Sequence, residues 1–445
     1  MMDKAAKRRI WGWWWFDWAS QPYNTLLITF IFGPYVVSVV GDGTAAQTIW
    51  GYGIGAAGVL IAVLAPFLGA VADKTGSRMP FIWVFSVLYV VGAWGVWYSA
   101  PADFNVWLVM GLFAVGLIGM EFATIFTNAM MPDLAPREEL GKISGSGWAW
   151  GYVGGLIALI FMLLFLAENG EGKTLLGMAP IFGLDPETRE GTRSVGPLTA
   201  IWFIVFMIPF FLWVREPRKP DAIGIGAAVA SAGPELKATL KTLPKRRSLF
   251  SFLLSSMFYR DALNGVYSFG GIYAAGVLGW SVVNVGIFGI LAATSGALFA
   301  WLGGKADSAL GPKPVIMFNV VALALTSLAI VFVSRESVMG MPVAEGSSLP
   351  DIAFYVLGAI VGAAGGSMQA ASRTMMVRQG DEDRMTEGFG LYALSGKATA
   401  FIAPLSIGIV TDLTNSQQLG ITPIVGLFIL GLVLLLFVDG EGTRA

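Results

Sequence analysis

The chain of 445 residues contains no cysteine and no histidine. Without cysteine it has no disulfide, no thiolate metal ligand and no thiol nucleophile. Without histidine, any proton relay must use carboxylates, with lysine or tyrosine as further participants. These absences exclude the familiar nucleophile–histidine and zinc sites. We therefore expect no metal site, no cofactor and no enzymatic activity.

Charged residues are also scarce, at 13% of the chain, and they nearly balance at a net charge of −1. Hydrophobic residues make up 56%, and the mean hydropathy of +0.70 is far from that of a soluble domain. The balanced charge gives no indication of a nucleic-acid partner. What the chain does contain is long apolar stretches, such as 26–40, 49–71 and 81–99, which approach or exceed the ~20 residues that cross a bilayer as a helix. Continuous apolar runs also exclude the alternating pattern of a membrane barrel.

Apolar runs between breaker residues predict an all-α membrane protein of twelve spans, numbered here in chain order. The predicted spans are 11–40, 47–72, 80–99, 105–131, 143–166, 198–214, 249–276, 281–303, 314–334, 351–377, 387–411 and 421–438. Most basic residues lie on one side of this arrangement, and the opposite loops hold only Lys173, Arg189, Arg193 and Arg335. Because cytoplasmic loops are enriched in Lys and Arg, both termini are predicted to be cytoplasmic.

The longest cytoplasmic segment, rich in proline and glycine, divides the spans six and six. We predict an N-terminal half at 1–214, a linker at 215–247 and a C-terminal half at 248–445. The basic residues of the linker either mark a surface helix on anionic lipid or serve as a solvated topology signal, and we favour the second interpretation.

The two halves carry repeated patterns. Gly69-Ala-Val-Ala-Asp73-Lys-Thr-Gly-Ser-Arg78 ends span 2, and Gly303-Gly-Lys-Ala-Asp307 followed by Gly311-Pro-Lys313 ends span 8. Parallel repeats of six spans are the arrangement of the two major facilitator halves. The first copy resembles the loop signature of that superfamily. The resemblance implies that Asp73 and Arg78, with Asp307 and Lys313 in the second copy, lock the cytoplasmic side, Asp73 accepting hydrogen bonds from helix N-termini and Arg78 serving as a charge partner.

Further motifs resemble the branch called the unknown major facilitators, which includes the autophagy-related vacuolar amino-acid effluxer of fungi. They are Trp15-Phe-Asp17-Trp-Ala-Ser20, Asn128-Ala-Met-Met-Pro132-Asp133-Leu-Ala-Pro136, Ser144-Gly-Ser-Gly147-Trp148-Ala-Trp-Gly151 and Tyr392-Ala-Leu-Ser395-Gly396-Lys397-Ala-Thr399. The resemblance implies twelve helices in two halves and a small-molecule substrate, with amino-acid export favoured. We expect a monomer in the lipid bilayer of a bacterial inner membrane.

A few ionisable residues lie deep in the predicted spans. Each costs roughly 2.5–3.5 kcal/mol on insertion scales, so it needs a water-filled cavity, a partner or a role. Glu121 lies about 16 Å from the cytoplasmic end of span 4 at 1.5 Å per residue, and Arg260 and Asp261 in span 7 and Lys397 in span 11 are similarly deep. Our hypothesis is that Glu121 or Asp261 carries a proton while Lys397 or Arg260 holds an anionic group or neutralises the acid. The alternative is a static ion pair, for instance Asp261 with Lys397.

Other polar residues lie near the same pathway or at its cytoplasmic end. Gln21, Asn24 and Tyr267 are candidates for the pathway, and Pro22 is expected to kink span 1. Asp17 follows a tryptophan cluster typical of the headgroup region and is predicted to be a gate residue. Arg373, near the cytoplasmic end of span 10, is expected to pair with Asp133 or Asp17 across the closed gate.

These observations predict alternating-access transport of a small polar or zwitterionic solute, coupled to protons. Two alternatives remain. The abundant Trp, Phe and Met suggest an exporter of amphipathic compounds or lipids, and a transporter fold can also serve as a membrane sensor or scaffold. Repeated gate motifs and deep charges favour transport, because a static protein needs neither.

Overall fold

A computed structural model describes residues 4–41, 43–216, 221–280 and 282–442. Residues 217–220 of the predicted linker lie outside the described residues, as do the ends of the two predicted halves at 1–3 and 443–445. The chain forms two compact units, Met1–Met130 with Trp150–Ala230 and Met131–Ala149 with Ser231–Ala445. The start of span 5 therefore belongs to the second unit.

Spans 1 to 6 are helices or chains of helices. Span 1 is α1 (Lys4–Pro22), a π-helical stretch (Tyr23–Phe30) and α2 (Phe32–Val40), followed by α3 (Gly43–Thr75), α4 (Met79–Gly95), α5 (Val106–Ala129), α6 (Leu140–Phe161) with a π-helical end (Met162–Leu166), and α7 (Glu190–Arg193) with α8 (Val195–Trp213).

A linker helix and spans 7 to 12 follow. They are α9 (Ile225–Thr242) in the linker, α10 (Arg247–Leu278), α11 (Val282–Leu310), α12 (Pro312–Val331), α13 (Leu349–Gln379), α14 (Met385–Ala398) with α15 (Ile402–Thr414), and α16 (Gln417–Gly420) with α17 (Thr422–Leu436). A hairpin of two antiparallel strands, β1 (Ser337–Val338) and β2 (Met341–Pro342), lies in the loop between spans 9 and 10 and was not predicted.

Several predicted helix ends are wrong. The first helix begins at Lys4 rather than 11, so the basic N-terminal residues are helical. Spans 2 and 8 continue to Thr75 and Leu310, which places Asp73 and Asp307 in last helical turns rather than in loops. Each helix is followed by a glycine with positive φ, +70° at Gly76 and +84° at Gly311, a backbone that glycine adopts without a steric penalty. The apolar count missed these turns because they are polar.

Within the described residues, 11 helical segments are long and apolar enough to cross a membrane by length and composition. The helix α10 is not among them, since Arg260, Asp261 and Asn264 lower its mean hydropathy. Its 32 residues nevertheless extend about 48 Å at 1.5 Å per residue, more than the hydrocarbon thickness. It therefore occupies the place of the predicted span 7.

Glycines bring neighbouring helices into backbone contact within each unit. A Cβ built on Gly92 of span 3 would lie 2.3 Å from the Cα of Gly116 in span 4. In the second unit a Cβ on Gly362 of span 10 would lie 2.1 Å from the carbonyl oxygen of Ala292 in span 8. Small residues permit this close approach in membrane helices. Large side chains such as Phe318, 73% exposed, remain on the outside, where lipid would cover them.

Tryptophans of spans 1, 5 and 6 form a packed cluster in the first unit. The centre of the Trp18 ring lies 4.6 Å from the ring centre of Trp150 and 5.8 Å from that of Trp202. Trp15 stacks on Phe206 with the ring centres 5.4 Å apart. The Trp202 indole N–H donates to the Trp18 carbonyl at 3.2 Å. Aromatic pairs of this kind add to area burial, so the cluster fixes the three spans together.

Candidate functional site

Span 1 is irregular at its polar face. Pro22 has no backbone N–H to donate, and its ring clashes with the backbone carbonyl of the previous helical turn. The following residues, Tyr23–Phe30, form a π-helix, in which Ile31 N donates to Leu26 O at 3.0 Å. The Thr29 hydroxyl donates to the Asn24 carbonyl at 2.8 Å. The helix changes its hydrogen-bond register where the sequence predicted a kink, and single π turns are frequent at functional sites.

The polar residues of this face lie against spans 4 and 5 in the first unit. Asn24 Nδ2 lies 4.0 Å from the sulfur of Met120, the neighbour of Glu121. A Cβ on Gly155 of span 5 would lie 2.8 Å from Gln21 Cγ. Asn24, Gln21 and Glu121 are half-buried. The structure therefore brings Asn24 beside the segment of span 4 that carries Glu121.

Asp17 lies one turn before Gln21 and is also half-buried. A Cβ on Gly151 of span 5 would lie 3.1 Å from the Asp17 carbonyl oxygen. The backbone of the predicted gate residue is therefore in close contact with span 5 at Gly151.

In the second unit, Arg260 of span 7 packs against span 11. Its guanidinium centre is 4.2 Å from the centre of the Tyr392 ring, and Nη1 donates to the Tyr392 carbonyl at 3.1 Å. A Cβ at Gly396 would lie 2.7 Å from the guanidinium carbon, so only glycine leaves room for it. Among the described residues no carboxylate forms an ion pair with Arg260. A half-buried cation without an acidic partner is suited to bind an anionic group.

Asp261, the next residue, has a different partner. It is 1% exposed, and its Oδ2 accepts a hydrogen bond from Ala403 N of span 11 at 2.9 Å. The carboxylate thus contacts the backbone rather than the Lys397 ammonium of the alternative static pair. Consecutive residues lie about 100° apart on a helix, which explains why Arg260 and Asp261 reach different parts of span 11.

Span 11 is not the single helix predicted at 387–411. Its first helix, α14, ends at Ala398, and its second helix, α15, begins at Ile402. Pro404 has no N–H and so cannot bond to the Ala400 carbonyl. The carboxylate of Asp261 reaches the first turn of the second half-helix, where backbone N–H groups have no intrahelical partner. Sequence counting missed the break because the interruption is short and apolar.

Two other candidates lie nearby in the second unit. Tyr267 is 44% exposed, and a Cβ on Gly365 of span 10 would lie 2.2 Å from its hydroxyl oxygen. Lys397, half-buried, is the last residue but one of α14. Tyr267 is on the same helix as Arg260 and Asp261, and Lys397 is on span 11, which contacts both of them.

The first gate motif forms a buried network inside the first unit. Arg78 Nη1 lies 3.0 Å from Glu216 Oε1, and Arg78 Nη2 lies 3.8 Å from Asp73 Oδ1. Glu216 Oε2 accepts from the backbone N–H of Arg78 at 2.6 Å and of Met79 at 3.3 Å, and from the Ser77 hydroxyl at 3.0 Å. Glu216 therefore stabilises the N-terminus of α4 through these hydrogen bonds.

The second motif contacts the start of span 5, within the second unit. A Cβ on Gly141 would lie 2.7 Å from Asp307 Cγ, and Lys142 N donates to the Ser308 hydroxyl at 3.0 Å. Asp307 is 1% exposed, so its carboxyl is buried against the first turn of α6. Lys313 donates to the carbonyls of Leu436 and Val438 at 3.3 and 2.6 Å, at the C-terminal end of span 12.

Arg373 also contacts the start of span 5. Its Nε donates to the Ser144 hydroxyl at 3.0 Å and its Nη2 to the Ser144 carbonyl at 2.8 Å, with the guanidinium 5.6 Å from the Trp148 ring. These three contacts are to a serine and an aromatic ring, and the pairing of Arg373 with Asp133 or Asp17 stays a prediction. Asp133, the other gate candidate on this segment, is exposed in a short 3-10 turn, Met131–Asp133.

Sequence reasoning did not single out two residues of these networks, Glu216 and Ser144. Glu216 follows the last apolar residues of span 6, on the side of the membrane where the first gate motif is predicted. An acid at that position, on the same predicted side as Arg78, was a usable signal. Ser144 lies within one of the motifs named above, but the sequence does not indicate which cation would contact this serine.

Comparisons with known proteins agree with this architecture. A family model described as "Vacuole effluxer Atg22 like" matches residues 33–445. The MFS-type transporter YxiO of Bacillus subtilis is 25% identical over 450 residues, covering 99% of this chain and 97% of that protein. Autophagy-related protein 22-1 of Aspergillus clavatus is 25% identical over 332 residues, 70% of this chain. The chain spans about half of that fungal protein, 51% of its length.

Among solved structures, the human organic anion transporter MFSD10 has a TM-score of 0.70 at 16% identity, covering 97% of this chain and all of that one. At this identity the similarity concerns the fold alone. It confirms the predicted fold class, the all-α major facilitator fold with twelve spans in two halves.

Proposed function

The chain belongs to the family of Atg22-like vacuole effluxers within the major facilitator superfamily, and from this premise we propose that it transports a small solute with an anionic group, coupled to protons. As a member of that superfamily it is a multi-pass integral membrane protein that performs secondary transport of a small molecule and is not an enzyme. The anionic group and the proton are the proposed parts.

The observation that carries the proposal is the position of Arg260. The cation lies near the middle of span 7, held by a ring and a carbonyl of span 11 rather than by an acid among the described residues. A guanidinium pairs with a carboxylate through two parallel hydrogen bonds. A solute carboxylate would supply the missing charge partner, with Lys397 of span 11 as a second cation. Amino acids fit this chemistry, and the family description of an effluxer supports export.

We assign the proton to Glu121 or Asp261, the two acids deep in spans 4 and 7. With no histidine in the chain, carboxylates are the remaining side chains of suitable acidity. The polar residues Gln21, Asn24 and Tyr267 would provide hydrogen bonds to the solute or to water along the pathway. Asn24, beside Met120, supports a shared surface of spans 1 and 4.

For the gate, we propose that Asp17, Asp73, Arg78, Asp133, Asp307, Lys313 and Arg373 act at the cytoplasmic end. The contacts of Ser144 with Arg373 and of Lys142 with Ser308 support this assignment, because they attach the start of span 5 to spans 8 and 10. Opening that end requires them to break. We further infer cytoplasmic termini, a bacterial inner membrane, a monomer, and two halves, 1–214 and 248–445, joined by the linker 215–247.

A second candidate function is export of amphipathic compounds or lipids. It is favoured by the aromatic cluster of Trp15, Trp18 and Trp150 in the first unit, in which Trp15 and Trp150 are half-buried. Aromatic faces bind organic cations as well as apolar groups. A membrane sensor with no transport is the remaining alternative.

Transport in proteoliposomes decides among these functions. The purified protein is tested with a panel of labelled amino acids and with a fluorescent lipophilic cation, each with and without an imposed pH gradient. We expect gradient-dependent movement of at least one amino acid. Movement of the lipophilic cation alone would support the second candidate, and no movement of any compound would contradict transport of both classes.

The gate assignment predicts that locking the start of span 5 stops transport. The chain has no native cysteine, so the double variant Lys142→Cys/Ser308→Cys places its only two thiols at the contact between α6 and α11. We expect a short bifunctional thiol reagent to cross-link the pair and to reduce transport to the level of empty liposomes. Each single-cysteine variant, treated in the same way, controls for modification alone. Cross-linked protein that transports at the untreated rate would remove this segment from the gate.

A further inference from the structure

The break in span 11 is an unusual backbone for a membrane segment. The backbone N–H groups of Thr399 and Ala400 both donate to the Lys397 carbonyl, the N–H of Ala400 at 3.4 Å. Ile402 N donates to Thr399 O at 2.8 Å. The chain between Ala398 and Ile402 therefore makes tight local bonds in place of the i to i−4 ladder. Non-helical backbone at membrane depth is tolerated only where it is buried in protein or lines a water-filled cavity.

The second half-helix, α15, begins with backbone N–H groups that have no acceptor within the helix, and Asp261 accepts a hydrogen bond from one of them. The first N–H groups of a helix have no intrahelical acceptor, and the helix dipole adds partial positive charge there. The Asp261 carboxylate, 1% exposed, accepts from Ala403 N in the first turn. A side chain of span 7 thus holds the start of α15 in position.

Only one oxygen of this carboxylate has a hydrogen-bond partner among the described residues. Asp261 Oδ1 is buried and makes no hydrogen bond within the part of the chain that the structure describes. The Thr399 hydroxyl, inside the break and 9% exposed, is also buried and unbonded there. Buried polar atoms are nearly always satisfied, so two unsatisfied oxygens associated with one break indicate a place that takes up a further ligand.

Few charges surround Asp261. Span 12, which packs against span 7, has no titratable residue between Thr422 and Leu436. The other charged and titratable groups on the neighbouring spans are Arg247, Tyr259, Arg260, Tyr267 and Tyr273 on span 7, Asp351, Tyr355, Arg373 and Arg378 on span 10, and Glu387, Tyr392, Lys397 and Asp412 on span 11. Arg260 is directed at Tyr392 and Gly396. The ionisation of Asp261 therefore acts chiefly on the end of α15.

We propose that Asp261 is the binding site of the coupling proton and that the start of α15 is the element that its charge holds in place. The ionised carboxylate binds the positive end of α15 through a charge-assisted hydrogen bond, and protonation at Oδ1 removes the charge without breaking a bond that Oδ1 already makes. Hydrogen bonds to charged groups are roughly twice as strong as neutral ones. Protonation thus weakens the hold on α15 and lets the second half of span 11 move. This proposal rests on the proposed proton-coupled transport.

A proton fits the site better than a metal ion. A hard cation needs several oxygen ligands in a shell. No group of three or more acidic, histidine or cysteine side chains gathers anywhere in the described ranges, and one oxygen of Asp261 is already occupied by an N–H. A single proton on Oδ1 needs no such shell.

The first test separates coupling from solute binding. The variant Asp261→Asn keeps an oxygen that can accept from Ala403 N but cannot ionise. In proteoliposomes, with a labelled amino acid that the wild type moves, one pH unit supports about tenfold accumulation at one proton per solute. We expect Asp261→Asn to lose this accumulation completely while exchange of labelled for unlabelled solute, without a gradient, stays at the wild-type rate. Asp412→Asn, which changes an exposed aspartate of α15, is the matched variant and is expected to keep its response to the pH gradient.

The second test reads the backbone rather than transport. Ala400 lies in the break and is exposed, so Ala400→Cys gives a single thiol in this cysteine-free chain. Its rate of labelling by a maleimide in detergent is measured across pH in the wild-type background and together with Asp261→Asn. Thiol ionisation is common to both proteins. We expect an additional pH-dependent step only where Asp261 is present.

The outcomes distinguish this proposal from the proposed function. A wild type that moves no solute overturns the proposed function, while a labelling difference between the two backgrounds would still support the switch. Accumulation retained in Asp261→Asn, or identical labelling profiles in the two backgrounds, overturns the assignment of the proton to Asp261. Loss of both exchange and accumulation, with a folded protein, also overturns it, because the residue would then serve the solute or the fold.

Discussion

The variant Arg260→Gln is expected to transport the anionic solute with a lower kcat/KM than the wild type. The expected loss is between roughly tenfold and somewhat more than a hundredfold. A hydrogen bond to a charged group contributes about 1.5–3 kcal/mol, and each 1.4 kcal/mol is a factor of ten. The amide keeps hydrogen-bonding capacity but not the charge that we propose pairs with the solute. Initial rates of uptake at subsaturating solute in proteoliposomes measure the loss. Arg260→Lys is expected to be intermediate, since an ammonium keeps the charge but loses the planar stacking on Tyr392.

A matched control is available in the same unit. Lys305, on span 8, also places its charge over an aromatic ring, with Nζ 3.3 Å from the centre of the Trp301 ring, but its side chain is exposed. Lys305→Gln should leave the rate unchanged. Equal rates for Arg260→Gln and wild type would remove the cation from solute binding, provided that both proteins elute as folded monodisperse species.

Glu216→Ala is expected to lower the free energy of unfolding by about 3 kcal/mol. Removing one partner of a buried ion pair costs about 3–5 kcal/mol because it leaves a buried charge uncompensated. Arg78 is 6% exposed and loses its nearer partner, at 3.0 Å, while Asp73 remains at 3.8 Å, so the lower end of the range applies. The variant also leaves the N–H groups of Arg78 and Met79 without this acceptor. Thermal unfolding in detergent measures the difference.

The control for this prediction is an exposed pair. Glu382 and Arg137 approach to 3.2 Å, but their side chains are 75% and 41% exposed. Exposed pairs contribute about 0–1 kcal/mol, so Glu382→Ala should unfold close to the wild-type midpoint. If Glu216→Ala and Glu382→Ala behave alike, the network around Arg78 does not stabilise the fold. Glu216→Gln, which keeps the acceptor and loses the charge, should lie between them.

The sequence predicted the framework of the fold well because lipid imposes simple rules. Apolar runs gave the spans, and the repeated glycine and aspartate pattern gave the relation between the halves. The structure shows the reason for the repeat at Gly76 and Gly311, which both end a helix with positive φ. Helix ends were missed where helices continue through polar turns, as at Asp73 and Asp307.

The site was only partly predictable. The deep charges Arg260 and Asp261 could be found by counting, since few charges interrupt the spans. Their partners could not, because the contacts are to backbone atoms, the carbonyl of Tyr392 and the N–H of Ala403, which every residue possesses. Side-chain chemistry in a sequence carries no information about which backbone group is left unpaired. The break in span 11 depends on the same kind of tertiary contact.

The packed indoles of spans 1, 5 and 6 give the protein a built-in optical reporter. All tryptophans except Trp148, Trp280 and Trp301 lie in the first unit. Near-UV circular dichroism depends on fixed packing of aromatic side chains, and rings as close as those of Trp18 and Trp150, at 4.6 Å, are fixed relative to each other. The near-UV spectrum therefore reports mainly on the first unit. Its response to solute or to pH can be recorded without a dye, while a single introduced cysteine reports on span 11.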